Sequence, residues 1–112
     1  MTLELESESG VFQIGVECSR VQLVLSISGE LDVASAPLLQ EHLLEAAQSD
    51  VSEVVVDLEH ATYIDSAGLG VLVSAHNRLM ARGGSLVICS PTPRSMKSLE
   101  IAGLSSYLNI EA

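Results

Sequence analysis

A hydroxyl next to a carboxylate stands in the stretch Thr62-Tyr63-Ile64-Asp65-Ser66-Ala67-Gly68-Leu69-Gly70. An apolar run, Glu53-Val54-Val55-Val56-Asp57-Leu58, precedes it, and a helical pattern that stops at Gly83-Gly84 follows it. The spacing predicts an entering strand, a tight polar turn and a leaving helix, with Ser66 where the helix begins. The first amides of a helix lack intrahelical partners, and the positive end of its dipole lies there. A phosphate on Ser66 is therefore expected to meet free N–H groups. It would add roughly two negative charges and three acceptor oxygens. Asp65 opposes that charge, so the expected effect falls on a docked partner and not on the fold. A purely structural reading stands beside this one. In it Asp65 or Ser66 simply caps the helix, and Gly68 and Gly70 let the helix pack closely.

Other chemistries lack their constellations. A nucleophile elbow needs Gly two residues before the serine, and Ile64 stands there. No pattern makes His42, His60 or His76 a base, and His76 falls inside an apolar stripe, which favours core packing. The three histidines and two cysteines show no zinc-like spacing. There is no phosphate-binding loop ending in Gly-Lys-Ser/Thr, and Gly68-Leu69-Gly70 is only a lone G-x-G at a helix start. No catalytic, cofactor or metal residue is expected.

Composition narrows the partners. The chain has 112 residues, 47% of them apolar, with one Phe, two Tyr and no Trp, so a single domain with an aliphatic core is expected. Lys and Arg total 5 against 15 Asp and Glu, a formal charge of −10. Nucleic-acid binding needs a cationic face to displace counterions, and an anionic membrane surface is an equally poor match. A basic protein surface suits this acidity, although acidity also simply keeps a domain soluble. No run of about 18 apolar residues is present to span a membrane. Cys18 and Cys89 form no C-x-x-C pair and follow no secretory signal, which reads as a reduced, cytoplasmic protein with both thiols at core or strand-end positions.

These residues must be positioned by the rest of the chain. Residues 1–10 read as an acidic N-terminus prone to fraying, in which Leu3 and Leu5 alternate like a short strand extension, and residues 11–112 as one domain. Val11–Cys18 and Val21–Ser28 read as strands joined by a two-residue hairpin at Ser19-Arg20. Ser35 is expected to cap a helix with Pro37 in its first turn, with Ala36, Leu39, Leu43, Ala46 and Ala47 on its apolar face and its end near Gln48. Val54–Leu58 reads as a buried strand, and a strand-helix-strand crossover implies parallel pairing. The next helix is expected over Ser66–Arg82. Its stripe is Leu69, Leu72, Val73, His76, Leu79 and Met80; Arg78 and Arg82 face away, and Gly83 gives the left-handed exit. Ser85–Cys89 reads as a strand. Thr92 and Pro93 open a third helix with Met96, Leu99 and Ile101 on its apolar side, Gly103 ends it, and Leu108-Asn109-Ile110 suits a last strand. The fold class is α/β: a small mixed sheet of four to five strands, an N-terminal hairpin then parallel βαβ units, with helices mainly on one face.

Gly29-Glu30-Leu31-Asp32, Asp65-Ser66-Ala67-Gly68-Leu69-Gly70, Arg82-Gly83-Gly84 and Ala102-Gly103-Leu104 together resemble the STAS-domain anti-sigma factor antagonists, over about Phe12 to Ile110. The resemblance implies the STAS fold for residues 11–112 and a bacterial partner-switching role. An unphosphorylated protein of this kind binds an anti-sigma factor that is also a serine kinase, and so releases the sigma factor. Phosphorylation of Ser66 would switch binding off and a PP2C-type phosphatase would reverse it. ATP belongs to the kinase, so no cofactor is implied for this chain. Carried over, Ser66 is the phosphoacceptor, Glu30, Asp32 and Asp65 flank it at the partner face, and Ala67, Gly68 and Leu69 start the docked helix. Many relatives carry a second Ser or Thr where this chain has Ala67, which leaves Ser66 as the one acceptor in the motif.

The alternative is a STAS subunit of another assembly, a lipid-transport complex or a stressosome-like scaffold, that binds without a phosphoswitch. A free-standing length and an intact Asp65-Ser66 favour the antagonist, and a stressosome component usually carries an added N-terminal domain. No nucleic acid or membrane insertion is expected. The open edge of a small sheet is expected to allow a weak homodimer.

Overall fold

Alternating apolar residues build the sheet, and the order of the elements follows the chain. The computed structural model describes the backbone of residues 2–7 and 10–111, and side chains of residues 12–111. The elements are β1 (Thr2–Ser7), β2 (Gly10–Cys18), β3 (Gln22–Leu31), α1 (Ala36–Ala47), β4 (Glu53–Ile64), α2 (Ser66–Ala81), β5 (Ser85–Cys89), α3 (Pro93–Ile101) and β6 (Asn109–Glu111). Among the described residues the sheet has six strands in the order β1-β2-β3-β4-β5-β6. The sequence reading counted four to five. β1 is the extension seen in Leu3 and Leu5, and β6 is the suggested last strand. The fraying expected of residues 1–10 falls partly on Met1, Glu8 and Ser9, which lie outside the described residues.

β1, β2 and β3 pair antiparallel, and β3 to β6 pair parallel through the three helices. Successive right-handed crossovers that step in one direction along a sheet lay every helix on the same face. That face buries Phe12, Ile14, Leu25, Ile27, Val54, Val56, Leu86 and Ile88 against Leu39, Leu43, Leu72, Leu79 and Leu99 of the helices. The opposite face carries Val24, Val55 and Val87 in one register row, beside rows of Ser26-Asp57-Cys89 and Gln22-Glu53-Ser85. Small and polar side chains thus let that face meet water without a second helical layer.

β4 extends to Ile64, well past the Leu58 at which the sequence reading stops. The reason lies in its register against β3. Ser26 pairs with Asp57 but Ser28 with His60, and Gly29 pairs with Ala61 but Glu30 with Tyr63. Each shift inserts an extra residue into β4. The buried positions therefore run Val54, Val56, Leu58, Ala61, Ile64, and the period-two pattern is lost in the second half. β5 pairs with β4 only over Glu53–Asp57. Beyond it α3 packs on β4, and the Thr92 hydroxyl donates to the Ala61 carbonyl at 3.4 Å.

Local differences have equally physical causes. The β2–β3 loop has three residues, Ser19, Arg20 and Val21, because the Val21 carbonyl turns away to accept from Ser52 and Glu53 N–H, both at 3.0 Å. Arg82 does not face away. Its guanidinium donates to the carbonyls of Ala46, at 2.9 Å, and Val51, so it closes the open end of α1. Met80 and Ile101 lie outside the apolar faces assigned to them, 54% and 78% exposed, and Ala75 takes the core place in α2. Both α2 and α3 end in paired turns through Gly83 and Gly103, with Gly84 N–H on Leu79 O and Leu104 N–H on Leu99 O, each 2.8 Å.

Candidate functional site

The site lies where β3 and β4 end and α1 and α2 begin. Parallel register brings Leu31 opposite Ile64, so the next residues, Asp32 and Asp65, come out side by side. The Asp65 N–H donates to the Leu31 carbonyl at 3.1 Å, which fixes the two chain ends together. In open parallel sheets this C-terminal edge is where binding sites form. Gly29, at φ 95°, supplies the left-handed backbone in β3 just before the bulged pairing of Glu30 and Tyr63.

Each aspartate clamps a helix entry. Asp65 is the N-cap of α2. Its Oδ1 accepts from Ala67 N–H at 2.9 Å and Gly68 N–H at 3.1 Å, and its Oδ2 accepts from Val33 N–H at 3.2 Å. Asp32 Oδ1 accepts from Ala34 N–H and Ser35 N–H, both at 3.0 Å. Ser35 holds the N-cap position of α1 without making the expected cap bond. It is buried instead, and its hydroxyl donates to Glu30 O at 2.7 Å and accepts from Asp32 N–H at 2.9 Å. Asp32 holds the turn that leads into α1, its Oδ1 taking the two amides before the helix and its carbonyl accepting from Ala36 N–H at 2.8 Å, while the buried serine pins that turn to β3.

Ser66 is exposed at the first turn of α2. The amides beside it are not free, contrary to expectation. The Asp65 carboxylate takes Ala67 and Gly68 N–H, and Leu69 N–H bonds to the Asp65 carbonyl at 3.0 Å. A phosphate on Ser66 would thus find those donors occupied and a carboxylate next to it. Its charge would be presented outward.

The other expected site residues divide. Glu30, Asp32 and Asp65 are half-buried at the same edge, and Ala67 and Leu69 are half-buried against the core. Gly68 is buried and turned inward. A Cβ there would lie 2.7 Å from Leu31 Cγ and 3.0 Å from Ile64 Cγ2, so Gly68 serves packing and offers a partner nothing. Two exposed residues at the edge stand outside the expected set of site residues. Val33 is 74% exposed beside Asp65, and Gly70 is exposed one turn beyond Ser66. Nothing local marks Val33; Gly70 is expected to let the helix pack closely, but a Cβ there would meet nothing within 4 Å.

His76 is buried, its ring edge-on to Tyr107 at 5.3 Å and its Nδ1 without a hydrogen bond. That is core packing. His60 is exposed and lies 3.9 Å from Glu59. Among the described residues no group of three or more His, Cys, Asp or Glu could hold a metal, and no helix is long and apolar enough to cross a membrane.

Comparison with known proteins places this geometry. The STAS domain pattern matches residues 13–112. The anti-sigma-B factor antagonist of Bacillus subtilis is 32% identical over 99 residues, covering 88% of this chain and 90% of its own. The anti-sigma F factor antagonist of Paenibacillus polymyxa is 30% identical over 99 residues, covering 88% and 85%. Among solved structures, an anti-sigma factor antagonist from Mycobacterium paratuberculosis superposes with a TM-score of 0.82 at 21% identity, covering 96% of this chain and 90% of that one. The anti-sigma factor antagonist SpoIIAA in its unphosphorylated form gives 0.78 at 23% identity, covering 88% of each. At those identities the two structures speak for the fold.

Proposed function

The chain belongs to the STAS domain family, and from that premise we propose that it is an anti-sigma factor antagonist switched by phosphorylation of Ser66. Unphosphorylated, it binds an anti-sigma factor serine kinase in the cytoplasm and frees the sigma factor. The exposed hydroxyl at the start of α2, with its neighbouring amides already satisfied, is the observation that carries this reading. The Ser66 Oγ would attack the γ-phosphorus of ATP held by the kinase, ADP would leave, and a base on the kinase would take the hydroxyl proton. The new phosphate stands next to the Asp65 carboxylate and among Glu30 and Asp32. It would meet any partner surface fitted to the neutral serine with added bulk and charge. A PP2C-type phosphatase would restore the hydroxyl. The names of the Bacillus and Paenibacillus relatives support the antagonist role.

Intact mass after incubation with ATP and the cognate anti-sigma kinase tests the reading. One added phosphate is expected, absent in Ser66→Ala. No gain, with a kinase active on another antagonist, would leave Asp65-Ser66 as a helix cap and favour a STAS subunit of a transport or scaffold assembly.

A further inference from the structure

Two features at this edge have no use within the fold. Gly70 sits in the second turn of α2, where glycine weakens a helix relative to alanine. Gly68 repays that weakness by its approach to Leu31, but a Cβ on Gly70 would meet nothing within 4 Å. Its backbone is helical and its surface is exposed. The missing side chain therefore matters only to something outside the chain. Gly70 follows Ser66 by four residues and so shares its helix face.

Val33 is the second feature. It stands in the turn between β3 and α1, 74% exposed. Turn chemistry does not select a β-branched apolar residue, since Gly, Asn, Asp and Ser dominate turns. Scattered exposed apolar residues are ordinary. This one is held, however, by its N–H on Asp65 Oδ2 at 3.2 Å, with the following two amides on Asp32 Oδ1. The backbone that carries this side chain is thus already fixed, and a β-branched side chain has few rotamers to lose, so docking orders little more.

We propose that Val33 and Gly70 complete the docking surface around Ser66, Val33 as an apolar anchor and Gly70 as the point of closest approach. The partner it fits presents an apolar pocket for Val33, a flat segment against Gly70, and a cationic rim facing Glu30, Asp32 and Asp65. The inference rests on the antagonist reading and takes the anti-sigma factor as the occupant, because three carboxylates at one edge select a basic partner.

Titration of the purified, unphosphorylated protein with its cognate anti-sigma factor tests this, alongside Gly70→Ala and Val33→Thr. Threonine keeps the shape and branching of valine and exchanges one methyl for a hydroxyl. Both variants are expected to stay folded, Gly70→Ala with a higher melting temperature than wild type, and each to bind about tenfold more weakly. Wild-type binding with unchanged affinity in either variant removes that residue from the surface and overturns the proposal, while the antagonist reading stands. No binding by the wild type overturns both.

Discussion

Gly68→Ala should destabilise the fold even though alanine is the better helix former. The added Cβ would lie 2.7 Å from Leu31 Cγ, 2.9 Å from Leu31 Cδ2 and 3.0 Å from Ile64 Cγ2. Carbon atoms at rest sit about 3.5–4.0 Å apart, so something must move by nearly an ångström. Leu31 is 0% and Ile64 2% exposed, and they sit opposite each other at the ends of β3 and β4. Both are enclosed in the core cluster. Overpacking of this kind costs about 1–3 kcal/mol, and alanine's helix propensity returns up to about 1 kcal/mol. The net loss is about 1–2 kcal/mol, or a melting temperature lower by about 4–8 °C for a chain of this size. Urea unfolding followed by circular dichroism reads it as an earlier midpoint with an unchanged slope. A double-mutant cycle locates the clash: in a Leu31→Ala background the cost of Gly68→Ala should shrink or reverse. A Gly68→Ala protein as stable as wild type, or a cost unaltered by Leu31→Ala, would refute the reasoning.

Other perturbations read other contacts. Asp65→Ala strips the acceptor from three N–H groups, those of Val33, Ala67 and Gly68, and should cost about 2 kcal/mol in urea unfolding, more than an ordinary cap; a change under about 0.5 kcal/mol would show that water replaces the carboxylate at no loss. His76→Leu should raise stability by about 1 kcal/mol, because it removes a buried Nδ1 that has no partner, and a less stable variant would mean that the ring's contact with Tyr107 outweighs the orphaned nitrogen. Burial, with the Asp57 carboxylate adding to it, holds the Cys89 thiol above its usual range. The folded state then binds that proton more tightly than the unfolded one. The associated stability is complete below the ordinary thiol pKa and is lost as pH rises through the raised value. Cys89→Ser should flatten the alkaline fall in melting temperature, and in the native protein alkylation should reach exposed Cys18 before Cys89; equal labelling rates would count against the shift.

Local pattern made much of this protein readable from its residues alone. The alternation in Val21–Ser28, the stripe from Leu72 to Leu79, the Thr92-Pro93 start and the Gly83 and Gly103 stops each depend on neighbours within a turn or a strand. Those elements appeared close to where their residues put them. The Asp65-Ser66 junction was legible for the same reason, since a cap is a matter of two or three residues. Contacts between distant segments decided the rest. Two extra residues in β4 broke the alternation after Leu58, because a bulge is defined by the partner strand and not by the strand that carries it. The Val33 turn and the start of α2 share Asp65 only because parallel register sets Leu31 beside Ile64. The same register separates the glycines: Gly68 meets Leu31, and Gly70 meets open space. In the sequence they are a single G-x-G, because spacing states which helix face a residue takes and not what lies against that face.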